Sequence, residues 1–84
     1  MKILAEEKNE GMVSLMGQII TCFCANYFYT GKLMGVNDTC IKLENPSIVY
    51  ETGPFTDAKW KDAQALPNTI YVQTAAIEAF GVVK

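Results

Sequence analysis

The sequence of 84 residues contains neither histidine nor arginine. Without histidine, the chain lacks the commonest general base, the commonest metal ligand and the base of every Ser-His or Cys-His pair, so we expect no catalytic residues, metal or cofactor. Without arginine, all seven basic residues are lysine, and they stand against nine acidic residues for a net charge of -2. This balance argues against a broad polyphosphate-binding face and allows only a local basic patch.

Long hydrophobic runs are missing as well. The longest, residues 19–25, is far shorter than the roughly 20 residues that a membrane span needs. The opening Met-Lys-Ile-Leu-Ala is followed at once by Glu6, Glu7 and Glu10, so it lacks the continuous apolar stretch of a signal peptide. We therefore expect no transmembrane helix and no secretory leader.

Cysteine is scarce and odd in number, with three residues. An odd count favours a reducing compartment, and we expect the cytoplasm. Strand alternation would place Cys22 and Cys24 on the same apolar face as Ile20, and no second pair or histidine completes four zinc ligands. We therefore predict buried core thiols for these two, and an unreactive thiol for Cys40.

What the chain does contain is apolar residues, which make up half of it. A domain of this size buries only about 60% of its unfolded surface, so self-association is expected to cover the remainder. We predict an arm or short helix over residues 1–14, and one domain over residues 15–84 with a loop insertion at about 52–68.

Short segments with period-two alternation predict a strand-rich fold. They are separated by turn residues, and the loop that includes residues 55–67 can hold a helical turn. The predicted strands are 19–24, 27–36, 39–44 with a continuation at 47–51 beyond Asn45-Pro46, 69–73, and 76–80. Five short strands joined by tight turns indicate a mainly all-β fold, a small and strongly bent antiparallel barrel.

Two motifs carry a resemblance to a known family. Residues 29–43, YTGKLMGVNDTCIKL, look like the pattern apolar-x-G-x-L followed by D-x-x-apolar-N-L, with lysine in place of the asparagine, and residues 15–18, LMGQ, before the first strand, fit as well. Residues 71–77, YVQTAAI, stand where a second and weaker motif is expected. The chain thus resembles the Sm-like family, which includes the Sm and LSm proteins and the RNA chaperone Hfq, over about residues 15–80.

The resemblance implies a five-stranded bent barrel that assembles as a closed homo-oligomeric ring. In the ring, the fourth strand of one subunit pairs with the fifth strand of its neighbour. This agrees with a physical argument, because a small chain with two exposed sheet edges can bury both edges by cyclic pairing. Family members bind single-stranded RNA at the pore or on a ring face.

The resemblance also implies which residues contact nucleic acid. Lys42 takes the place of an asparagine that reads a base, Cys40 that of a stacking aromatic residue or histidine, and Gln73 that of an arginine or histidine facing the pore. Lys42 and Gln73 can still bond to a base edge or a phosphate, whereas Cys40 cannot stack on a base. The full set of candidate nucleic-acid contacts is Lys42, Gln73, Lys32, Cys40, Asp38, Thr74 and Trp60.

Three members of this set have a second interpretation or a minor role. Asp38 is expected mainly to cap its turn through backbone amides. Lys32, on an outward position, adds a phosphate contact. Trp60 stands between Lys59 and Lys61 in a basic and aromatic cluster typical of single-strand binding, but Asp57 and Asp62 offset its charge, and a packing anchor for the loop is the favoured interpretation.

The sequence therefore predicts a cytoplasmic Sm-like ring that binds single-stranded RNA, or DNA, without catalysis. Weak contacts repeated around the ring would give avidity. The alternative is a structural or protein-interaction ring in which an Sm-like barrel has lost nucleic-acid binding. The missing arginine, the acidic balance and the lost stacking at Cys40 favour that alternative.

Overall fold

The computed structural model describes residues 11–84, which form an antiparallel sheet of six strands. The strands are β1 (Ile19–Cys24), β2 (Phe28–Val36), β3 (Cys40–Glu51), β4 (Asp62–Ala65), β5 (Ile70–Gln73) and β6 (Ile77–Gly81). The order of neighbours is β4-β3-β2-β1-β6, and β5 also pairs with β3. The mainly-β prediction is confirmed, but the predicted count of five strands is wrong. The predicted barrel is not confirmed, since the sheet is open: no pairing joins β6 to β4 or β5 in the part of the chain described.

Helix is almost absent from residues 11–84. It is limited to two 3-10 turns, Met12–Leu15 and Thr74–Ala76. The predicted arm over residues 1–14 lies mostly outside the described residues, and Met12–Leu15 overlaps its end. None of the helical turns in residues 11–84 is long or apolar enough to cross a membrane.

The strand β3 continues through Asn45-Pro46, where the sequence predicts an interruption of the ladder. Asn45 takes up the distortion with a φ of 50°, and the register with β2 shifts between Thr30 and Lys32. The bend divides β3 between two partners, since its first half pairs with β5 and its second half with β4. The proline thus marks a change of partner within one strand.

The strand that the sequence did not predict is β4, which lies inside the segment predicted to be a loop. All four of its residues are exposed, so no apolar alternation distinguishes it in the sequence. It forms by backbone pairing with β3, where Ser47 lies opposite Ala65 and Val49 opposite Ala63. Pattern reasoning finds strands that bury one face, and β4 buries neither.

The core lies on one face of the sheet. Alternation places Ile41 and Leu43 of β3 inward, as predicted, and Val72 of β5 lies beside them. The buried cluster consists of Ile20, Cys22, Cys24, Leu33, Ile41, Leu43 and Val72. Both thiols predicted to be buried are buried, which confirms that expectation.

Candidate nucleic-acid interface

The pairing of β3 with β5 brings four polar or aromatic side chains together. Cys40 lies opposite Gln73, and Lys42 lies opposite Tyr71. Residues directly opposite each other point to the same face, with Cβ atoms about 4.5–5.5 Å apart. We call the set Cys40, Lys42, Tyr71 and Gln73 the β3-β5 face.

This face is open to solvent, because its neighbours in sequence fill the core on the other side. Ile41 and Val72 are buried, whereas Lys42 and Gln73 are exposed and Cys40 is half-buried. Tyr71, the aromatic residue of the set, has 64% of its surface accessible. The phenol ring therefore presents a surface on which a planar group can stack.

A surface depression of about 640 Å³ adjoins the face. It extends from the turn that precedes β3 to the turn that follows β5. Its lining consists of Asp38, Thr39, Cys40, Tyr71, Gln73, Thr74 and Ala75. Four of the seven predicted contacts, Asp38, Cys40, Gln73 and Thr74, thus meet in one place, and Lys42 lies next to them.

The turn before β3 is held by Asn37, not by Asp38 as predicted. The Asn37 Oδ1 atom accepts hydrogen bonds from the backbone N–H of Thr39 at 2.8 Å and of Cys40 at 2.9 Å. It also accepts one from the Thr39 hydroxyl at 3.1 Å. The Asp38 side chain makes no such bond among the described residues, so its carboxylate is available at the depression.

Thr74 ties this turn to the end of β5. Its backbone N–H donates to the Thr39 carbonyl at 2.9 Å, and its hydroxyl donates to the Asp38 carbonyl at 3.1 Å. These bonds hold Gln73 beside Cys40. The geometry therefore gives Thr74 a positioning role, with its hydroxyl proton already used.

Lys32 and Trp60 lie elsewhere. Lys32 is opposite Glu44 on β3 and opposite Ile19 on β1. Both predicted residues line a separate groove of about 390 Å³, together with Lys59 and other residues. The structure thus divides the seven predicted contacts between two surfaces, with Lys42 and four others on the first.

Sequence reasoning missed Tyr71. The quoted motif contains it two positions before Gln73, and period-two alternation puts these two residues on one face. The position of Tyr71 opposite Lys42 follows only from the register in which β5 pairs with β3. Tyr71 supplies the aromatic surface that Cys40 lacks.

The cysteines do not add a reactive group to the core. Burial raises the pKa of the Cys22 thiol to about 12, and the neighbouring Cys24 adds to the increase. Burial also raises the pKa of Cys24, with Glu78 as a smaller cause. Among residues 11–84, no group of three or more histidine, cysteine, aspartate or glutamate side chains is arranged to hold a metal ion. On the β3-β5 face, Lys42, Tyr71 and Gln73 offer charge attraction, stacking and hydrogen bonding.

Comparisons with known proteins add no identification to this geometry. No family model matches the chain, and no curated protein matches it significantly.

Proposed function

We propose that this protein is an Sm-like, ring-forming protein that binds single-stranded RNA through the β3-β5 face. The observation that carries the proposal is the pairing of Lys42 with Tyr71 and of Cys40 with Gln73 on one exposed surface. This places a cation, an aromatic ring and an amide within reach of one nucleotide. These are the groups that single-strand binding combines.

Each group has a distinct task in the proposed complex. The ring of Tyr71 stacks on a base, and stacking on an aromatic residue contributes about 1–3 kcal/mol per base. The Gln73 amide both donates and accepts, so it can bond to a base edge. Lys42 attracts the phosphate next to that base, and Lys32 adds a phosphate contact on the second groove.

The strand order supports an Sm-like barrel as the unit of the ring. Strands β1, β2 and β3 form a meander, with β6 added beside β1 and β5 added beside β3. A 3-10 turn of three residues, Thr74–Ala76, joins β5 to β6. Without the additional strand β4, these are the five strands that the family resemblance implies, so β5 and β6 correspond to its fourth and fifth strands.

The free edges of β5 and β6 support ring assembly. Each of the two strands pairs on one side only within residues 11–84. Unpaired edges promote association, and pairing of β5 with the β6 strand of a neighbouring copy repeats head to tail until the ring closes. Closure would repeat the β3-β5 face around the ring and turn a weak contact into avidity.

A reducing cytoplasm is the proposed location. All three cysteines are free thiols, and burial protects two of them. Free thiols are typical of proteins in a reducing compartment.

Two measurements test the proposal. Native mass spectrometry with and without oligo-U or oligo-A should show a closed oligomer that takes up oligonucleotide. Fluorescence anisotropy across a salt series should show weaker binding for Lys42→Ala and Gln73→Ala, with a shallower salt dependence for Lys42→Ala. Lys61→Ala is the matched control, because Lys61 is an exposed lysine paired with Glu51 at 3.4 Å.

Three results would contradict the proposal. A stable folded monomer at micromolar concentration excludes the ring. A wild-type protein that binds neither oligonucleotide at low salt excludes the nucleic-acid function. Unchanged affinity in both Lys42→Ala and Gln73→Ala removes these residues from the interface.

A second candidate function is a structural or protein-interaction ring. The charge around the face favours it, because the carboxylate of Asp38 lines the same depression and offsets Lys42. The net charge of -2 acts in the same direction. Enrichment of proteins and absence of nucleic acid on the purified ring, read first from the ratio of absorbance at 260 and 280 nm, would favour this candidate.

A further inference from the structure

The ammonium group of Lys84 bonds to the segment between β3 and β4. Its Nζ atom donates to the carbonyl oxygens of Thr52 at 2.8 Å, Pro54 at 2.9 Å and Lys59 at 3.0 Å. An ammonium group has three N–H donors. All three are used, and each bonds to a main-chain oxygen.

Two aromatic rings also lie next to the ammonium group. The Lys84 Nζ atom lies 4.6 Å from the ring centre of Trp60 and 5.5 Å from that of Phe55. The two rings meet nearly at right angles, at 88°, so they form two walls of a corner. Both distances are within the range of about 6 Å in which a cation is attracted to a ring face. We call the three carbonyls and two rings the ammonium cage.

Contacts that do not involve Lys84 also shape the cage. The Lys61 N–H donates to the Thr52 carbonyl at 3.3 Å, and the Asp57 N–H donates to the Pro54 carbonyl at 3.0 Å. Phe55 also packs against Phe23 of β1, with ring centres 6.4 Å apart. The cage is therefore anchored to the sheet by its own residues, which is what a binding site requires.

We propose that the ammonium cage is a binding site for primary alkylammonium ligands, such as a lysine side chain, and that Lys84 occupies it as a ligand from the same chain. The cage lies apart from the β3-β5 face, although Lys59, Trp60 and Lys84 also line the second groove, where the proposed function places the Lys32 phosphate contact. When Lys84 is withdrawn, or loses its charge by acylation, the cage accepts an ammonium group from another molecule.

The donor arrangement defines the ligand class. A quaternary ammonium group is attracted to aromatic rings, but it has no N–H to satisfy the three carbonyls. A guanidinium group presents its donors in a flat fork, which does not match three oxygens around one nitrogen. A primary ammonium group satisfies both the oxygens and the rings, so the cage should prefer it to the other two.

Lys84 is the resident ligand because it belongs to the same chain as the cage. A ligand joined by a short flexible segment has an effective concentration of about millimolar. A free amine must exceed that concentration to compete with Lys84. Removing the Lys84 charge should therefore open the site to added amine.

The test uses Trp60, the single tryptophan of the chain, as a fluorescent reporter. Lys84→Met keeps most of the side-chain length and removes the ammonium group, and it should shift the Trp60 emission to longer wavelength. Added n-butylammonium should then restore the wild-type emission in a saturable manner. Tetramethylammonium, guanidinium and n-butanol should each do so at least several-fold less effectively. Wild type and the matched control Lys42→Met, at an exposed lysine outside the cage, should show no saturable response.

A second measurement does not depend on a variant that folds. In wild type, NMR of lysine labelled with nitrogen-15 should show slower hydrogen exchange at the Lys84 ammonium than at the exposed Lys61 ammonium. Equal exchange at both would overturn the occupied cage. The ammonium specificity would be overturned if n-butylammonium left the Trp60 emission of Lys84→Met unchanged. It would also be overturned if all the cations changed that emission equally. Binding by a lysine of a second copy would appear as concentration-dependent dimers of Lys84→Met mixed with wild type, and free amine would abolish them.

Discussion

Lys42 and Tyr71 lie directly opposite each other on neighbouring strands, and both are exposed. The pair is the centre of the proposed interface, because it unites a phosphate-attracting cation with a stacking surface. Neither residue has a structural partner that would explain its side chain among the described hydrogen bonds and ion pairs.

Replacing Tyr71 should separate stacking from the phenol hydroxyl. We expect Tyr71→Ala to weaken oligo-U or oligo-A binding by about 1–3 kcal/mol per stacked base, because the ring is lost. Tyr71→Phe keeps the ring and should bind nearly as wild type. Fluorescence anisotropy at fixed salt measures both. Equal losses in the two variants would mean that the hydroxyl, not the ring, makes the contact.

The turn before β3 offers a paired test of local structure. The Asn37 side chain accepts from two backbone amides, whereas Asp38 bonds through its backbone carbonyl to Thr74. We expect Asn37→Ala to reduce the free energy of unfolding by about 1 kcal/mol, because these bonds are lost. Asp38→Ala should change it by less than about 0.5 kcal/mol, as at ordinary surface positions. Urea unfolding of the two variants provides the comparison, and a larger loss for Asp38→Ala would contradict the assignment.

The sequence predicts the strands that bury one face and misses features that depend on long-range pairing. Ile41 and Leu43 alternate with polar residues, so their inward direction follows from local pattern alone. Asn37 and Asp38 are both residues that cap turns, and their spacing does not distinguish them. The partner of Tyr71 is set by a register between distant segments, which a single sequence does not reveal. Strand β4 lies on the surface and has no apolar face, so no alternation in the sequence predicts it. The ammonium cage is formed by residues that share no sequence motif.

Gly31 lies where β2 crosses the bend of β3. An added Cβ at this position would be 3.1 Å from the Leu43 Cβ and 3.2 Å from both the Glu44 carbonyl oxygen and the Pro46 Cα. Two of these neighbours are backbone atoms, which cannot move aside without shifting the strand. We expect Gly31→Ala to reduce stability by about 1–3 kcal/mol through overpacking.

Gly35 on the same strand is the matched control for Gly31. An added Cβ there would meet only the Lys42 Cβ, at an ordinary contact distance of 3.5 Å. Gly35→Ala should therefore change the free energy of unfolding by less than about 0.5 kcal/mol. Thermal and urea unfolding would measure both variants. Similar effects at the two positions would show that the close approach of β2 to β3 does not constrain residue 31.

The buried thiol of Cys22 predicts a stability change at alkaline pH. Burial raises its pKa from 9.0 to about 12, with Cys24 as a lesser cause. In the unfolded chain the thiol loses its proton near its ordinary pKa, whereas the folded protein retains it. The contribution of the protonated Cys22 thiol to the free energy of unfolding is fully present below pH 9. This contribution is lost as the pH rises from 9 towards 12, with a slope of at most about 1.4 kcal/mol per pH unit.

Unfolding measurements on wild type and Cys22→Ala from about pH 8 to pH 11 test this linkage. All other titratable groups are common to the two proteins, so the difference between the two curves isolates Cys22. We expect the stability advantage of wild type to shrink as the pH rises. A thiol-reactive probe checks the burial independently, because half-buried Cys40 should react first and Cys22 only on unfolding. Parallel stability curves, or fast labelling of Cys22 in the folded protein, would contradict a protonated thiol in the core.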